Sequence, residues 1–145
     1  MQLAEEYLNA AKTLHPVPPN VSFVCYFLYG HALELTLKAF LISQGATSRK
    51  LKRIGHNLER AVCAAAEHQP FQRVPLSERD RTIIAWIGEY YKDKEFEYLI
   101  TGYRSIPNPD EVRELCERVQ RDVKPLIREA TLAHIASGAS PRSRA

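Results

Sequence analysis

The chain has 145 residues, of which 45% are hydrophobic and 26% charged, with a formal net charge of +3. These values predict one soluble globular domain, long enough to bury a real core, and too mildly basic for a constitutive nucleic-acid coat protein. Cys25, Cys63 and Cys116 fall inside apolar helical patterns with no metal-ligand spacing, which excludes a disulfide framework or a zinc site and predicts buried thiols in a reducing cytoplasm.

The opening residues, MQLAEEYLNAAKTL, are acidic and amphipathic, unlike a signal peptide. They predict a first helix over residues 2–14, with Leu3, Tyr7, Ala11 and Leu14 on its inward face. The prolines after His15 end it, because they remove backbone donors and fix an extended turn. Residues 22–42, SFVCYFLYGHALELTLKAFLI, form a second helix that is apolar nearly all round. Ser22 caps it and Gly45 stops it. It is long enough to span a bilayer, but Glu34 and Lys38 would each cost about 2.5–3.5 kcal/mol near the membrane centre, so it reads as the buried helix of a soluble bundle.

Residues 46–56 form a basic connector with room for one helical turn. A third helix over 57–68 turns Leu58, Ala61, Val62 and Ala65 inward. Ser77 starts a fourth helix, which buries Ile83, Ile84, Trp86, Ile87 and Tyr90. Residues 92–108 lack helical period. Asn108, Pro109 and Glu111 then supply the cap, the first-turn proline and the acidic N3 position of a fifth helix. Val112, Leu115, Val119, Val123, Leu126 and Ala130 form its apolar stripe, and Pro125 should kink or interrupt it. The expected organisation is a single all-α domain over residues 1–136, an up-and-down bundle of about five helices. Residues 137–145 are expected to be a disordered tail.

Four constellations stand out. His31, Glu34 and Lys38 lie at i, i+3 and i+7, a polar stripe on an apolar helix. Unpaired buried charge is expensive, so the stripe is either an internal ion-pair cluster or the wall of a cleft or dimer interface. His56 begins the third helix, where it either caps backbone donors or meets Glu34. Arg49, Lys50, Lys52 and Arg53, with Arg60 a turn further on, are either a solvated loop or a phosphate-binding surface. In the long segment, Tyr98, Tyr103 and Arg104 either clamp a ligand or plug a groove of the bundle. No nucleophile elbow, phosphate-binding glycine loop or metal-ligand spacing is present, and no cofactor is implied.

The run His31-Ala-Leu-Glu34-Leu-Thr-Leu-Lys38, a glycine at 45, then Gly55-His56-Asn-Leu58 and an alanine-rich helix, resembles the HEPN superfamily, best over residues 4–68. The resemblance implies an α-helical bundle that pairs into a homodimer in the cytoplasm. It also implies an association with RNA, as a metal-independent endoribonuclease of a toxin–antitoxin or other bacterial defence system. An antitoxin or a nucleotidyltransferase-type protein would be its partner. Active members carry an Arg-x4–6-His motif, in which histidine does acid–base work and arginine steadies the phosphorane. Two stretches fit that spacing: Arg49 with His56, and Arg128 with His134. His56 is the first candidate, because it adjoins the basic cluster, and His134 the second. RNA contacts are expected from Arg49, Lys50, Lys52, Arg53 and Arg104. The alternative is a non-catalytic dimeric module that docks another protein.

Overall fold

Polar caps and glycine stops divide the chain into helices, and a computed structural model describes residues 1–17, 20, 22–92 and 105–138. The elements are α1 (Gln2–Thr13), α2 (Phe23–Ser43), α3 (Ser48–Ile54), α4 (Leu58–Ala66), a 3-10 turn (Gln69–Arg73), α5 (Glu78–Lys92) and α6 (Pro109–Ala136). The fold is all-α, with no strand among the described residues. The basic connector folds further than a single turn: capped by Thr47, it becomes the seven-residue α3. Residues 93–104, which include Tyr98, Tyr103 and Arg104, and tail residues 139–145 lie outside the described residues.

Helix α2 is the central element because it is apolar on every side, and it packs against α1, α4, α5 and α6. Tyr26, Tyr29, Leu33, Leu37, Phe40 and Leu41 are buried along it. Ser22 caps it through the Cys25 amide. No helix among the described residues is long and apolar enough to cross a membrane.

The outer helices lay one stripe each on this centre. The α1 stripe is Ala4, Leu8 and Ala11, whereas Leu3 and Leu14 are exposed. Of the expected face, Ala11 is buried and Tyr7 packs against the core, but Ala4 and Leu8 take the inward positions expected of Leu3 and Leu14. On α5 the buried residues are Ile83, Ile84, Ile87 and Tyr91, with Trp86 and Tyr90 only half-buried. Cys25 and Cys116 are buried, but Cys63 is exposed on the outer face of α4, contrary to the expectation of three buried thiols.

Two local devices fix α5 and α6. Ser77 Oγ accepts from the Asp80 amide while the Asp80 carboxylate accepts from the Ser77 amide, a reciprocal cap at the start of α5. The same carboxylate, only 5% exposed, receives a two-pronged bond from Arg118 on α6, at 2.6 and 3.1 Å. Asn108 accepts from the Asp110 amide and starts α6 with Pro109 in its first turn. Pro125 does not interrupt α6, which runs on to Ala136. It lies on the exposed face, as does Arg121, whose carbonyl loses its intrahelical donor there and can turn to water.

Candidate functional site

Four side chains from three places in the fold meet at Glu34, in the middle of α2. Its carboxylate is 2% exposed, so each oxygen needs a donor. Lys38, one turn along the same helix, donates to Oε1. His56 Nδ1 lies 3.0 Å from Oε2, and the Tyr91 hydroxyl of α5 donates to the same oxygen at 2.6 Å. His31 Nδ1 lies 3.7 Å from Oε2 and 2.6 Å from the Tyr91 hydroxyl. The sequence stripe is therefore a buried ion-pair cluster, and it extends to a partly exposed rim. His31 and Lys38 are part-exposed, and the His56 side chain is 54% exposed.

Two backbone features bring these residues together. Gly55, at φ +60°, turns the chain between α3 and α4 through a conformation that side chains rarely adopt, and His56 follows directly. Gly30 sits one turn before Glu34, where an added Cβ would lie 2.9 Å from Cδ2 of Tyr91. The absence of a side chain at residue 30 lets the Tyr91 ring lie across α2 and reach the carboxylate.

Burial alone would push the Glu34 carboxyl up. Hydrogen bonds from Lys38, Tyr91 and His56, with His31 close beside them, together outweigh it and hold the group well below the usual carboxylate range. An ionised carboxylate only accepts, which fixes the protons around it. His56 presents Nδ1–H to Glu34. Tyr91 gives its own proton to Glu34, so its oxygen accepts Nδ1–H from His31. Both imidazoles are thereby set in one tautomer, with Nε2 left for other work.

His31 is held rigidly as well. It stacks on Phe27 with ring centroids 5.8 Å apart, and Tyr7 of α1 meets it edge-on at 4.4 Å. The other histidines differ. His15 has both nitrogens engaged, with Nδ1 2.9 Å from the Tyr29 hydroxyl and Nε2 3.1 Å from Asp110. His68 lies edge-on to Phe40 with its Nε2 buried and unpartnered. His134 is exposed near the end of α6, as is Arg128, and no described residue ties either to the cluster.

Arg49, Lys52, Arg53 and Arg60 are all exposed on α3 and α4. Lys50 pairs with Glu67 at 3.1 Å. Arg49 makes no hydrogen bond with His56 among the described residues, and it lies exposed on the basic surface rather than in the cluster. Among the described residues no group of three or more His, Cys, Asp or Glu side chains is arranged to hold a metal ion. The sequence reading missed Tyr91 because Tyr90 fits the apolar stripe almost as well. The i, i+4, i+7 series Ile84, Gly88, Tyr91 was the available signal.

Comparison of the chain with family models, with curated proteins and with solved structures finds no match. Function must therefore be argued from the residues themselves.

Proposed function

We propose that the protein binds RNA and cleaves it by metal-independent acid–base chemistry at the His31–Glu34–His56 cluster, as a HEPN-like endoribonuclease. The observation that supports this is the pair of imidazoles tied through Nδ1 to one buried carboxylate–phenol system. A neutral imidazole held this way takes a proton at Nε2, and a protonated one gives a proton from the same atom.

In phosphodiester cleavage, one histidine removes the 2′-hydroxyl proton as the 2′-oxygen bonds to phosphorus. The other protonates the departing 5′-oxygen as the P–O5′ bond breaks. The products are a 2′,3′-cyclic phosphate and a 5′-hydroxyl, and no redox partner is needed. Glu34 stays ionised and orients the rings. Lys38, bonded to Glu34 and partly exposed, keeps N–H groups for the charge that builds on the phosphorane. The cations of α3 and α4 hold the RNA backbone, as counterion-releasing contacts do. A homodimer in a defence or toxin–antitoxin setting, with an antitoxin or nucleotidyltransferase-type partner, belongs to the same proposal and rests on the HEPN resemblance.

The test is RNA cleavage in the presence of a chelator by wild type, His31→Ala and His56→Ala, with helix content checked by circular dichroism. Wild type should cleave, and each folded variant should lose about 100-fold or more. Absence of wild-type cleavage, or variants that cleave at its rate, would remove the enzymatic reading. One observation favours the non-catalytic interaction module instead: Leu14, Val17 and Val24 expose apolar side chains around the α1–α2 connection, a surface suited to a protein partner. On that reading sedimentation reports a dimer of the 16.5 kDa chain while the cleavage assay stays blank.

A further inference from the structure

Many cations elsewhere on the bundle have counter-ions, although Arg81 and Arg128 pair with none among the described residues. Lys12, Arg73, Arg79, Arg113, Arg118 and Lys124 each hold a carboxylate within 2.9 Å. The surface made by α3 and α4 is where unpaired cations concentrate. Arg49, Lys52, Arg53 and Arg60 pair with no acidic group among the described residues. These four do not act as one sheet of charge. Lys50 and Arg53 from α3 and Arg60 from α4 line a single open depression of about 460 Å³, together with Ile54 and Glu67. Arg49 and Lys52 do not line it.

Glu67 holds Lys50 at 3.1 Å, so the depression retains the two guanidinium groups as uncompensated charge. Guanidinium forks match the oxygens of a phosphate, to which they give paired N–H bonds. A phosphodiester in a nucleic-acid backbone carries one negative charge, whereas a phosphomonoester carries about −1.5 to −2 at pH 7. Two free guanidinium groups in one concave site fit the dianion better than the monoanion.

We propose that this depression is a phosphomonoester site that takes the 5′-terminal phosphate of an RNA, while Arg49 and Lys52 contact internal phosphates without discriminating between ends. The proposal rests on the reading that the chain binds RNA, but not on its cleaving RNA. A free mononucleotide offers the same chemistry, and the test separates the two sources.

The probe is a fluorescent 2′-O-methyl oligonucleotide, which cannot be cleaved by the proposed route, carrying either a 5′-phosphate or a 5′-hydroxyl. Anisotropy at about 0.15 M salt should show roughly tenfold tighter binding of the phosphorylated form. The preference should shrink below about pH 6, where the second phosphate proton returns. Arg53→Ala with Arg60→Ala should abolish the preference, whereas Arg49→Ala with Lys52→Ala should weaken both probes alike and keep it. His56→Ala should also keep it, so a failed cleavage assay leaves this result readable. Equal binding of the two wild-type probes, or a preference that survives loss of Arg53 and Arg60, would overturn the proposal. Adenosine 5′-monophosphate that competes as well as the phosphorylated oligonucleotide would overturn the RNA end as its occupant. If neither probe binds, both the RNA reading and this site fail.

Discussion

The Glu34 cluster and the α3–α4 surface carry charge in opposite ways. Around Glu34, the carboxylate takes up the donors of Lys38, His56 and Tyr91 in a site closed to water on one side. On α3 and α4, four cations lie exposed and unpaired within twelve residues of sequence. Charge that satisfies other charge inside a fold contributes to its stability and fixes geometry. Charge left open on a surface contributes little to folding and is available to a partner. The contrast predicts that the two regions separate under mutation, one in stability and the other in binding.

The largest effect should come from Glu34→Ala. It removes the shared acceptor of Lys38, His56 and Tyr91, and should cost about 3–5 kcal/mol in urea unfolding. A cost below about 1 kcal/mol would mean that water already satisfies those donors. The pH dependence follows from the same group. The folded Glu34 carboxyl is held below its ordinary value of 4.5, because its hydrogen bonds outweigh the opposing effect of burial. A depressed carboxyl contributes stability that is present above that ordinary value and lost as the pH falls toward the folded one. Stability should therefore decline below about pH 4.5, and Glu34→Gln should flatten that decline. An unchanged acid slope in the Gln variant would move the effect to another group.

Asp80→Ala comes next. It removes the carboxylate half of the reciprocal α5 cap and the Arg118 bond together, for about 2 kcal/mol in the same assay, with the loss mirrored in part by Arg118→Ala. Gly30→Ala should act less on stability than on the site. The helix-propensity gain of about 1 kcal/mol offsets part of the cost of displacing Tyr91, so net unfolding shifts by about 1 kcal/mol or less. Its informative readout is the imidazole nuclear magnetic resonance signal of His31, which should move as the Tyr91 hydroxyl withdraws. A stationary signal would show that the ring relaxes without leaving its partner.

Helix ends were legible in the sequence because caps are local. Ser22, Asn108 and the Ser77 start of α5 read correctly from a few neighbouring residues. Which face turns inward was harder. Alanine counts on either side of an amphipathic pattern, so only packing against α2 shows that Ala4 rather than Leu3 is inside. The His31–Glu34–Lys38 stripe was visible from helical period. Its completion by His56 and Tyr91, 22 and 57 residues away from Glu34, depends on tertiary contact. Gly30 gave no local sign of its role, since a helical glycine becomes necessary only once the Tyr91 ring lies on it. The trough of Lys50, Arg53 and Arg60 was likewise hidden, because the run of cations does not show which of them converge.

The most direct test of this contrast measures stability and RNA affinity on the same variant, Lys52→Ala with Arg53→Ala and Arg60→Ala. The account predicts an unfolding midpoint equal to that of wild type, with RNA affinity lowered at least tenfold and a flatter dependence on salt. Unchanged affinity, or a midpoint that falls with the binding, would show that these cations belong to the fold rather than to a partner.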